Sequence, residues 1–406
     1  MAEARPHKWT FRSRFRARAF GWRSQPAVKR VREAVTEITR VARKDPVLGA
    51  EGAVQFLERV SPAIEAVDSS SGSMGAAVHG AVATLVPIVA NAGADDATRD
   101  RWLERLWTAF EEDEMPYIES LAECWGELCA SPARASRWAD ELLAGLTASW
   151  SDRESGGYFG GTQACLSSLL AAGRHDELLE LLERAPYVSW SDRQYGALAL
   201  AALGRTDDAL EYAQASLGLN DDAAWMVRTC EQILIDAGRR DEAYERYALT
   251  TRTGTTNLAT FRAIAKRYPE RERSAILDDL IRSSPGEEGK WFATARQLGL
   301  LDRAAALAAH SPCDPKTLNR AARDHVESHP AFALEVALAS LRWLTEGVGY
   351  EITSADVHAA HEFATRAAEA LGNQEETRAR VRRIVAEERS RDGLVQRVLG
   401  RRLGLR

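Results

Sequence analysis

Apolar positions recur along the chain at intervals of three and four residues, which is the spacing of one buried helix face. Leu210, Ala213 and Leu217 show this spacing in the middle of the sequence. From Pro26 onward the pattern predicts one helix after another, and β-branched residues, which favour strands, are sparse. The sequence therefore predicts an all-α protein.

A short phrase recurs between residues 164 and 310. Its copies begin at glycines that are 31, 34 and 61 residues apart, and the last interval is close to two periods. The copies are Gly173-Arg174-His175-Asp176-Glu177-Leu178, Gly204-Arg205-Thr206-Asp207-Asp208-Ala209, Gly238-Arg239-Arg240-Asp241-Glu242-Ala243 and the weaker Gly299-Leu300-Leu301-Asp302-Arg303-Ala304. A fixed period of about 34 residues is typical of stacked helical hairpins.

Each position of the phrase has a physical role in a hairpin. Glycine adopts the left-handed conformation that ends a helix, so Gly204 closes the apolar run that precedes it. Asp207 is expected at the start of the next helix, where a carboxylate caps free amides and suits the helix dipole. Ala209 is small enough to let two helices approach closely. We therefore predict an α-solenoid of stacked antiparallel helix pairs.

The phrase resembles the tetratricopeptide repeat over about a third of the chain. The matching residues are Gly204, Asp207, Asp208, Ala209, Glu211 and Tyr212. The early aromatics of the motif and its closing proline are missing from most copies, so the pitch of the superhelix stays open. The resemblance implies a surface that binds another protein.

The region from Gly52 through Gly75 resembles the helical part of bacterial proteins that carry a SWIM-type zinc finger. The segment that carries the resemblance is Gly52-Ala53-Val54-Gln55-Phe56-Leu57-Glu58-Arg59, followed by the loop Val67-Asp68-Ser69-Ser70-Ser71-Gly72-Ser73-Met74-Gly75. The Cys-x-Cys and Cys-x-His ligands of the finger appear nowhere in this sequence. The nucleic-acid role of that finger therefore does not carry over.

Length and cysteine usage indicate a soluble intracellular protein. The chain has 406 residues with 45% hydrophobic content, enough for a sizeable core, and five scattered cysteines. An odd number of cysteines within helical runs favours reduced thiols, so we expect a cytoplasmic location. The stretch from Met74 to Ala94 carries no charge, but its polar residues, Pro87 and its glycines favour a buried helix over a membrane span.

Charge is distributed unevenly along the chain. Residues 1–44 carry a net charge of +10 and residues 377–406 a net charge of +7, which leaves −23 for residues 45–376. Such asymmetry steers one end of the chain toward an acidic partner or toward the middle of another copy. Neutralisation within a single molecule is the alternative. The sequence leaves both open, so self-association is one of its predictions.

The basic N-terminus interleaves arginine with aromatic residues between Phe11 and Trp22. Arginine binds phosphate and aromatic rings stack on bases, so this segment is a candidate contact for nucleic acid or an acidic partner. The candidate residues are Arg12, Arg14, Arg16, Arg18, Phe15 and Trp22. The structural alternative packs Phe11, Phe15 and Phe20 or Trp22 inward while the arginines pair with acidic residues.

Four segments follow from these patterns. They are a basic aromatic segment with the first helices (1–44), an irregular helical half (45–155), a repeat array (162–376) and a basic capping helix (377–406). The glycine-rich stretch from Ser155 to Thr162 is predicted to be a bend at the boundary of the array. The helix near Tyr350 to Leu371 is expected to begin at Ser354, with Asp356 in its first turn.

No catalytic or cofactor motif is present, so we expect no cofactor. The acidic run 111–114 is interpreted as a solvated helix end, and Trp102, Trp107 and Phe110 as core rather than a ligand-stacking box. His310, Cys313, His325 and His329 approximate zinc-ligand spacing without the usual hairpin, so no metal is expected.

The favoured function is a non-catalytic scaffold or adaptor that binds a protein partner. The first alternative is a nucleic-acid-associated module that uses the N-terminal arginines. The second is an enzyme, which predicts a closed polar pocket near Asp68 to Gly75, where a serine-rich helix start could also hold an anion.

Overall fold

The computed structural model describes residues 7–151, 158–218, 221–250, 254–390 and 393–405. Helices account for 72% of the chain, and these described residues contain no β-strand. The all-α fold class is therefore confirmed. The chain divides into two compact units, Met1–Arg239 and Arg240–Arg406.

The first unit contains twelve of the described α-helices and one hydrophobic core that runs from Trp9 to Ala199. The helices are α1 (Ser24–Ala42), α2 (Pro46–Ile64), α3 (Ser73–Ala90), α4 (Asp96–Glu111), α5 (Ser120–Glu123), α6 (Trp125–Cys129), α7 (Pro132–Ser151), α8 (Thr162–Ala171), α9 (His175–Glu183), α10 (Trp190–Ala202), α11 (Thr206–Ala215) and α12 (Ala223–Asp236).

The second unit contains the remaining ten. They are α13 (Arg240–Ala243), α14 (Asn257–Arg267), α15 (Arg273–Arg282), α16 (Phe292–Gln297), α17 (Leu301–His310), α18 (Pro315–His325), α19 (Pro330–Thr345), α20 (Ser354–Leu371), α21 (Gln374–Ala386) and α22 (Leu394–Leu403). A π-helical turn, Tyr244–Ala248, extends α13. As predicted, α20 begins at Ser354, where Thr353 and Asp356 form a capping box.

The N-terminal helices pack closely because small residues line their contacts. Helix α1 contacts α2 and α3, and α2 also contacts α4. Gly52 lies directly under the indole ring of Trp9, and a Cβ at this position would overlap that ring. Pro62 lies inside α2, whereas Pro132 is the first residue of α7.

Helix α3 is the one described helix that is long and apolar enough to cross a membrane by length and composition. It contacts α1, α2 and α6, and its buried side includes Val78, Val82 and Leu85. The opposite side, with Ala83 and Thr84, is exposed. Helix α3 thus takes part in the helix packing of the first unit.

The four glycines of the recurrent phrase all adopt the left-handed conformation. Gly173, Gly204, Gly238 and Gly299 have φ between +74° and +77°. Helices α9, α11, α13 and α17 begin within three residues of these glycines, each with an aspartate in its first turn. The predicted glycine-to-aspartate joints are therefore present at all four positions.

The aspartates do not cap these helices as predicted. Helices α9 and α11 have no hydrogen bond from a side-chain cap. Asp207 instead pairs with Arg239 of the next copy at 2.7 Å, and Asp241 pairs with Arg271 at 2.9 Å. The aspartates therefore serve the helix dipole and also join successive segments by ion pairs.

Candidate functional site

The aromatic residues of the N-terminal segment have different environments. Phe11 and Phe15 are buried, and their rings lie 5.7 and 5.1 Å from that of Phe56 on α2. Phe20 packs on Phe15, whereas Trp22 is 72% exposed. The structural alternative therefore holds for the phenylalanines but not for Trp22, and Phe15 is not accessible to a base.

Two of the four candidate arginines are neutralised by nearby acidic residues. Arg14 pairs with Glu33 at 3.0 Å, and Arg18 donates to both carboxylate oxygens of Glu65 at 3.0 and 2.9 Å. The hydrogen bonds from Arg18 lower the pKa of Glu65. Arg12 and Arg16 are exposed. The nucleic-acid contact stays a prediction, with Arg12, Arg16 and Trp22 as its accessible residues.

The serine-rich loop before α3 is held by local hydrogen bonds. Asp68 accepts from the amide of Ser70 at 3.0 Å, which lowers its pKa, and donates its own amide to the carbonyl of Trp22 at 2.9 Å. Gly72 precedes α3 at φ +68°. Of three cavities on the described surface, one is bordered by Ser73 and none by 68–72.

The histidines and cysteine with zinc-like spacing do not form a metal site in the described part of the chain, which has no group of three or more ligand side chains. The ring centroid of His325 lies 5.8 Å from that of His329 and 5.1 Å from that of Phe332, which it meets edge to face. The thiol of Cys313 donates to the carbonyl of Gly289. None of the five cysteines forms a disulfide within the described residues.

A concave site in the first unit has a volume of about 820 Å³. We call it the acidic cleft. Its aromatic lining residues are Trp107, Phe110, Trp150, Tyr158, Phe159, Tyr187 and Trp225. Its acidic lining residues are Glu111, Asp113, Glu119, Glu123 and Asp192. None of the described residues that line it is lysine, arginine or histidine.

Several consecutive elements position these side chains. The C-terminal end of α4 supplies Trp107 and Phe110, and the turn before α5 supplies Glu119. The opposite wall comes from the N-terminal ends of α8, α10 and α12, which contribute Thr162, Asp192 and Trp225. Helix α10 contacts both α8 and α12, so these three helices line the same cleft side by side.

The aromatic lining combines a rigid base with an exposed rim. Trp107 packs against Trp125 at 5.2 Å and against Trp138 at 5.5 Å, and Trp125 is fully buried. At the rim, Tyr158 is 87% and Tyr187 62% exposed. Exposed aromatic rings beside a preformed aromatic floor are typical of a binding site.

The carboxylates of the cleft are not neutralised. None of the five forms an ion pair with a described basic residue. Burial raises the pKa of Asp192 to about 6, against the attraction of Arg193. Burial also raises the pKa of Glu123, and the charge of Glu119 adds to this increase. Arg193 and His79 attract Asp192 and Glu123 from nearby, but no ion pair within the described residues balances the charge of the cleft acids.

Asp113 differs from the other four carboxylates because it serves the fold. It accepts hydrogen bonds from the hydroxyl of Ser61 and, at 2.7 Å, from the amide of Ile118. These bonds fix the turn that leads into α5. Glu111, Glu119, Glu123 and Asp192 remain available to a bound group.

In the second unit, some arginines contact an aromatic ring and pair with a carboxylate at the same time. The guanidinium of Arg271 lies 3.9 Å from the ring centroid of Tyr244 and pairs with Asp241 at 2.9 Å. Arg342 lies 4.7 Å from the ring of Trp343 and pairs with Glu346 at 2.9 Å. The acidic cleft presents the same two partners with no basic residue among its described lining residues, so it is suited to binding a cation from outside.

The sequence did not reveal this site. Its residues are spread from Trp107 to Trp225, and no local pattern joins them. Glu111 and Asp113 belonged to a run interpreted as a solvated helix end, and Trp107 to a stripe interpreted as core. The sequence feature that could have indicated the site is an aromatic residue in a loop. Tyr158 lies within the glycine-rich stretch, and Tyr187 follows Pro186.

The glycine-rich stretch itself is described only in part, because 152–157 lie outside the described residues. Gly160 and Gly161 border the cleft, and a Cβ on Gly161 would lie 2.7 Å from the ring of Phe159. A glycine is therefore required there to seat an aromatic side chain.

A scan against protein-family models found no match, and neither curated proteins nor solved structures gave a similar one. The resemblances to the tetratricopeptide repeat and to SWIM-finger proteins therefore gain no support from these comparisons, and the site is interpreted from its own chemistry.

Proposed function

We propose that this chain is a non-catalytic helical-repeat protein of the stacked-hairpin, tetratricopeptide-like kind, and that its acidic cleft binds arginine side chains of a partner protein. The observation that carries the proposal is the absence of any basic residue among the described residues lining a cleft with five carboxylates and seven aromatic rings. A cation relieves the repulsion among the acids and stacks on the rings.

Arginine fits this cleft better than lysine. Its planar guanidinium stacks on aromatic faces and donates two parallel hydrogen bonds to a carboxylate. Tyr244 and Trp343 each pair with an arginine in this manner within the second unit. A volume of about 820 Å³ holds several side chains, which favours a peptide segment over a single small cation.

The repeat architecture supports a protein partner. Helices α8, α10 and α12 contribute to one wall, and equivalent faces of successive hairpins commonly form an extended binding surface. Five cysteines that form no disulfide within the described residues fit a reducing compartment such as the cytoplasm.

The test is calorimetric titration with an arginine-rich peptide, a lysine-rich peptide and a glutamate-rich peptide. We expect the arginine peptide to bind most tightly and binding to weaken as salt increases. The double variant Glu119→Gln/Glu123→Gln is expected to weaken it at least about tenfold, because two charge-assisted contacts are lost.

Two matched variants serve as controls. Glu141→Gln/Glu180→Gln removes the same charge from exposed positions of the first unit outside the cleft, and Trp22→Ala removes an exposed ring elsewhere. Both should bind the arginine peptide as the wild type does. Equal loss in the control and cleft variants would mean that the peptide responds only to net charge, and the proposal would be wrong.

A further inference from the structure

An arginine-rich surface covers the last two helices of the second unit. Its exposed members are Arg378, Arg382, Arg383, Arg389, Arg397, Arg401 and Arg402. We call it the arginine surface. None of the seven forms an ion pair within the described residues, whereas Arg380 beside them holds Glu335 through two bonds of 2.7 Å. These seven guanidinium groups are therefore open to an external anion.

The arginines are brought together by the packing of α21 and α22. Arg382 on α21 donates to the carbonyl of Gly404, which ends α22, at 3.4 Å. Gln396 on α22 donates back to the carbonyl of Val385 on α21 at 3.0 Å. Arg402 lies close enough to His361 on α20 for its charge, added to burial, to lower the pKa of that histidine.

Helix dipoles explain only part of this arrangement. Arg383, Arg401 and Arg402 lie in the last turns of their helices, where positive charge is favourable. Arg378 lies in the first half of α21, Arg389 follows that helix and Arg397 lies in the first turn of α22. Arg378 and Arg397 gain nothing from a helix C-terminus, which leaves their charge available to a further partner.

The arginine surface and the acidic cleft are complementary in chemistry as well as in charge. The cleft has aromatic rings and carboxylates, and no basic side chain among its described lining residues. Residues 377–406 contain ten arginines and no phenylalanine, tyrosine or tryptophan. A nucleic acid on this surface would be held by its phosphates alone, because no ring is present to stack on a base.

We infer that the segment bound by the acidic cleft is the arginine surface of a second copy of this chain, so that molecules associate head to tail. The inference rests on the proposed function of the cleft. Because the two contacting surfaces differ, each added copy leaves one cleft and one arginine surface free. Association therefore continues beyond the dimer unless a ring closes.

The experiment uses two charge-reversal variants of the full chain, with sedimentation velocity as the measurement. The cleft variant is Glu119→Lys/Glu123→Lys, and the surface variant is Arg397→Glu/Arg401→Glu. The wild type should associate as its concentration rises and dissociate as salt is added. Each variant alone should be monomeric, because one of its two contact surfaces is reversed.

Mixing the two variants gives the decisive result. The surface variant keeps an intact cleft and the cleft variant keeps an intact arginine surface, so one native contact can form. An equimolar mixture should therefore give a discrete one-to-one dimer that does not grow. Arg12→Glu/Arg16→Glu and Glu141→Lys/Glu180→Lys control for reversed charge elsewhere and should associate as the wild type does.

Three results would overturn the inference: a wild type that is monomeric at every concentration, variants that associate unchanged, or a mixture that stays monomeric. Loss of double-stranded DNA binding in the surface variant, with a monomeric wild type, would assign the arginine surface to nucleic acid instead. If the monomeric wild type still binds the arginine peptide and the cleft variant does not, the proposed function stands without self-association.

Discussion

The basic N-terminal segment and the acidic cleft belong to the same unit and both combine charge with aromatic rings, but their charges have different roles. In the N-terminal segment, Arg14 and Arg18 are paired with Glu33 and Glu65, and Phe15 is buried. In the cleft, the carboxylates have no ionic partner among the described residues, and rings such as Tyr187 are exposed.

This difference shows that a concentration of charge in the sequence is a poor guide to a binding site. The most basic stretch of the chain uses much of its charge and most of its aromatic residues to attach itself to α1 and α2. The cleft takes four of its acids from residues 111–123 and the fifth from Asp192, and none of them forms an ion pair within the described residues. Unpaired charge beside exposed rings, rather than local charge density, identifies the stronger candidate site.

The largest effect is expected from the aromatic residues of the N-terminal segment. Phe15→Ala should lower the free energy of unfolding by about 3–5 kcal/mol, because a buried ring against Phe56 is lost. Trp22→Ala should change it by less than about 0.5 kcal/mol, because the indole is exposed. Urea unfolding of both variants measures the contrast, and similar losses would show that the two rings have equivalent roles.

An intermediate effect is expected at Asp192. Its carboxylate is buried in the cleft, with Arg193 as the nearby cation and Asp221 as a repelling anion. A rise of its pKa from 3.8 to about 6 corresponds to about 3 kcal/mol of unfavourable ionisation at neutral pH. Asp192→Asn should therefore raise the free energy of unfolding at pH 7 by about 2–3 kcal/mol.

The pH dependence of this effect has a definite sign. The native state binds the proton of Asp192 more tightly than the unfolded state, so its stabilising contribution is complete below a pH of about 3.8. That contribution is lost as the pH rises through about 6. The difference between wild type and Asp192→Asn should therefore grow across this interval, and a difference independent of pH would show that Asp192 does not titrate there.

Binding should respond to the same ionisation in the opposite direction. Because a bound cation favours the charged carboxylate, arginine-peptide affinity should be about tenfold lower at about pH 5 than at about pH 7. In Asp192→Asn most of this dependence should disappear. Calorimetric titration at the two pH values measures it, and an unchanged pH dependence in the variant would assign the effect to another carboxylate.

The smallest effect is expected at the two exposed arginines of the N-terminal segment. Arg12→Gln/Arg16→Gln should change the free energy of unfolding by less than about 0.5 kcal/mol. If the nucleic-acid hypothesis holds, the same variant should lose salt-dependent binding to DNA or RNA in an electrophoretic shift assay. Nucleic-acid binding that survives this change would place the contact elsewhere on the chain.

The sequence by itself determined the fold class and the joints between hairpins. Helical spacing and the glycines at Gly204 and Gly238 depend on local conformation, because a left-handed residue ends a helix whatever surrounds it. The start of α20 at Ser354 was likewise readable from local capping residues. The ion-pair partners of Asp207 and Asp241 could not be predicted in this way. They are Arg239 and Arg271, and each lies far from its aspartate in the sequence.

Only the tertiary structure decided the position of the candidate site, the acidic cleft. Which acids are neutralised and which rings are exposed depends on residues about a hundred positions apart, such as Trp107 and Trp225. Glu65 and Glu123 are chemically identical, but their pKa values shift in opposite directions. Hydrogen bonds from Arg18 lower the pKa of Glu65, whereas burial and the charge of Glu119 raise that of Glu123. Local sequence fixes what each helix is, whereas the packing of helices fixes which charges remain available to a partner.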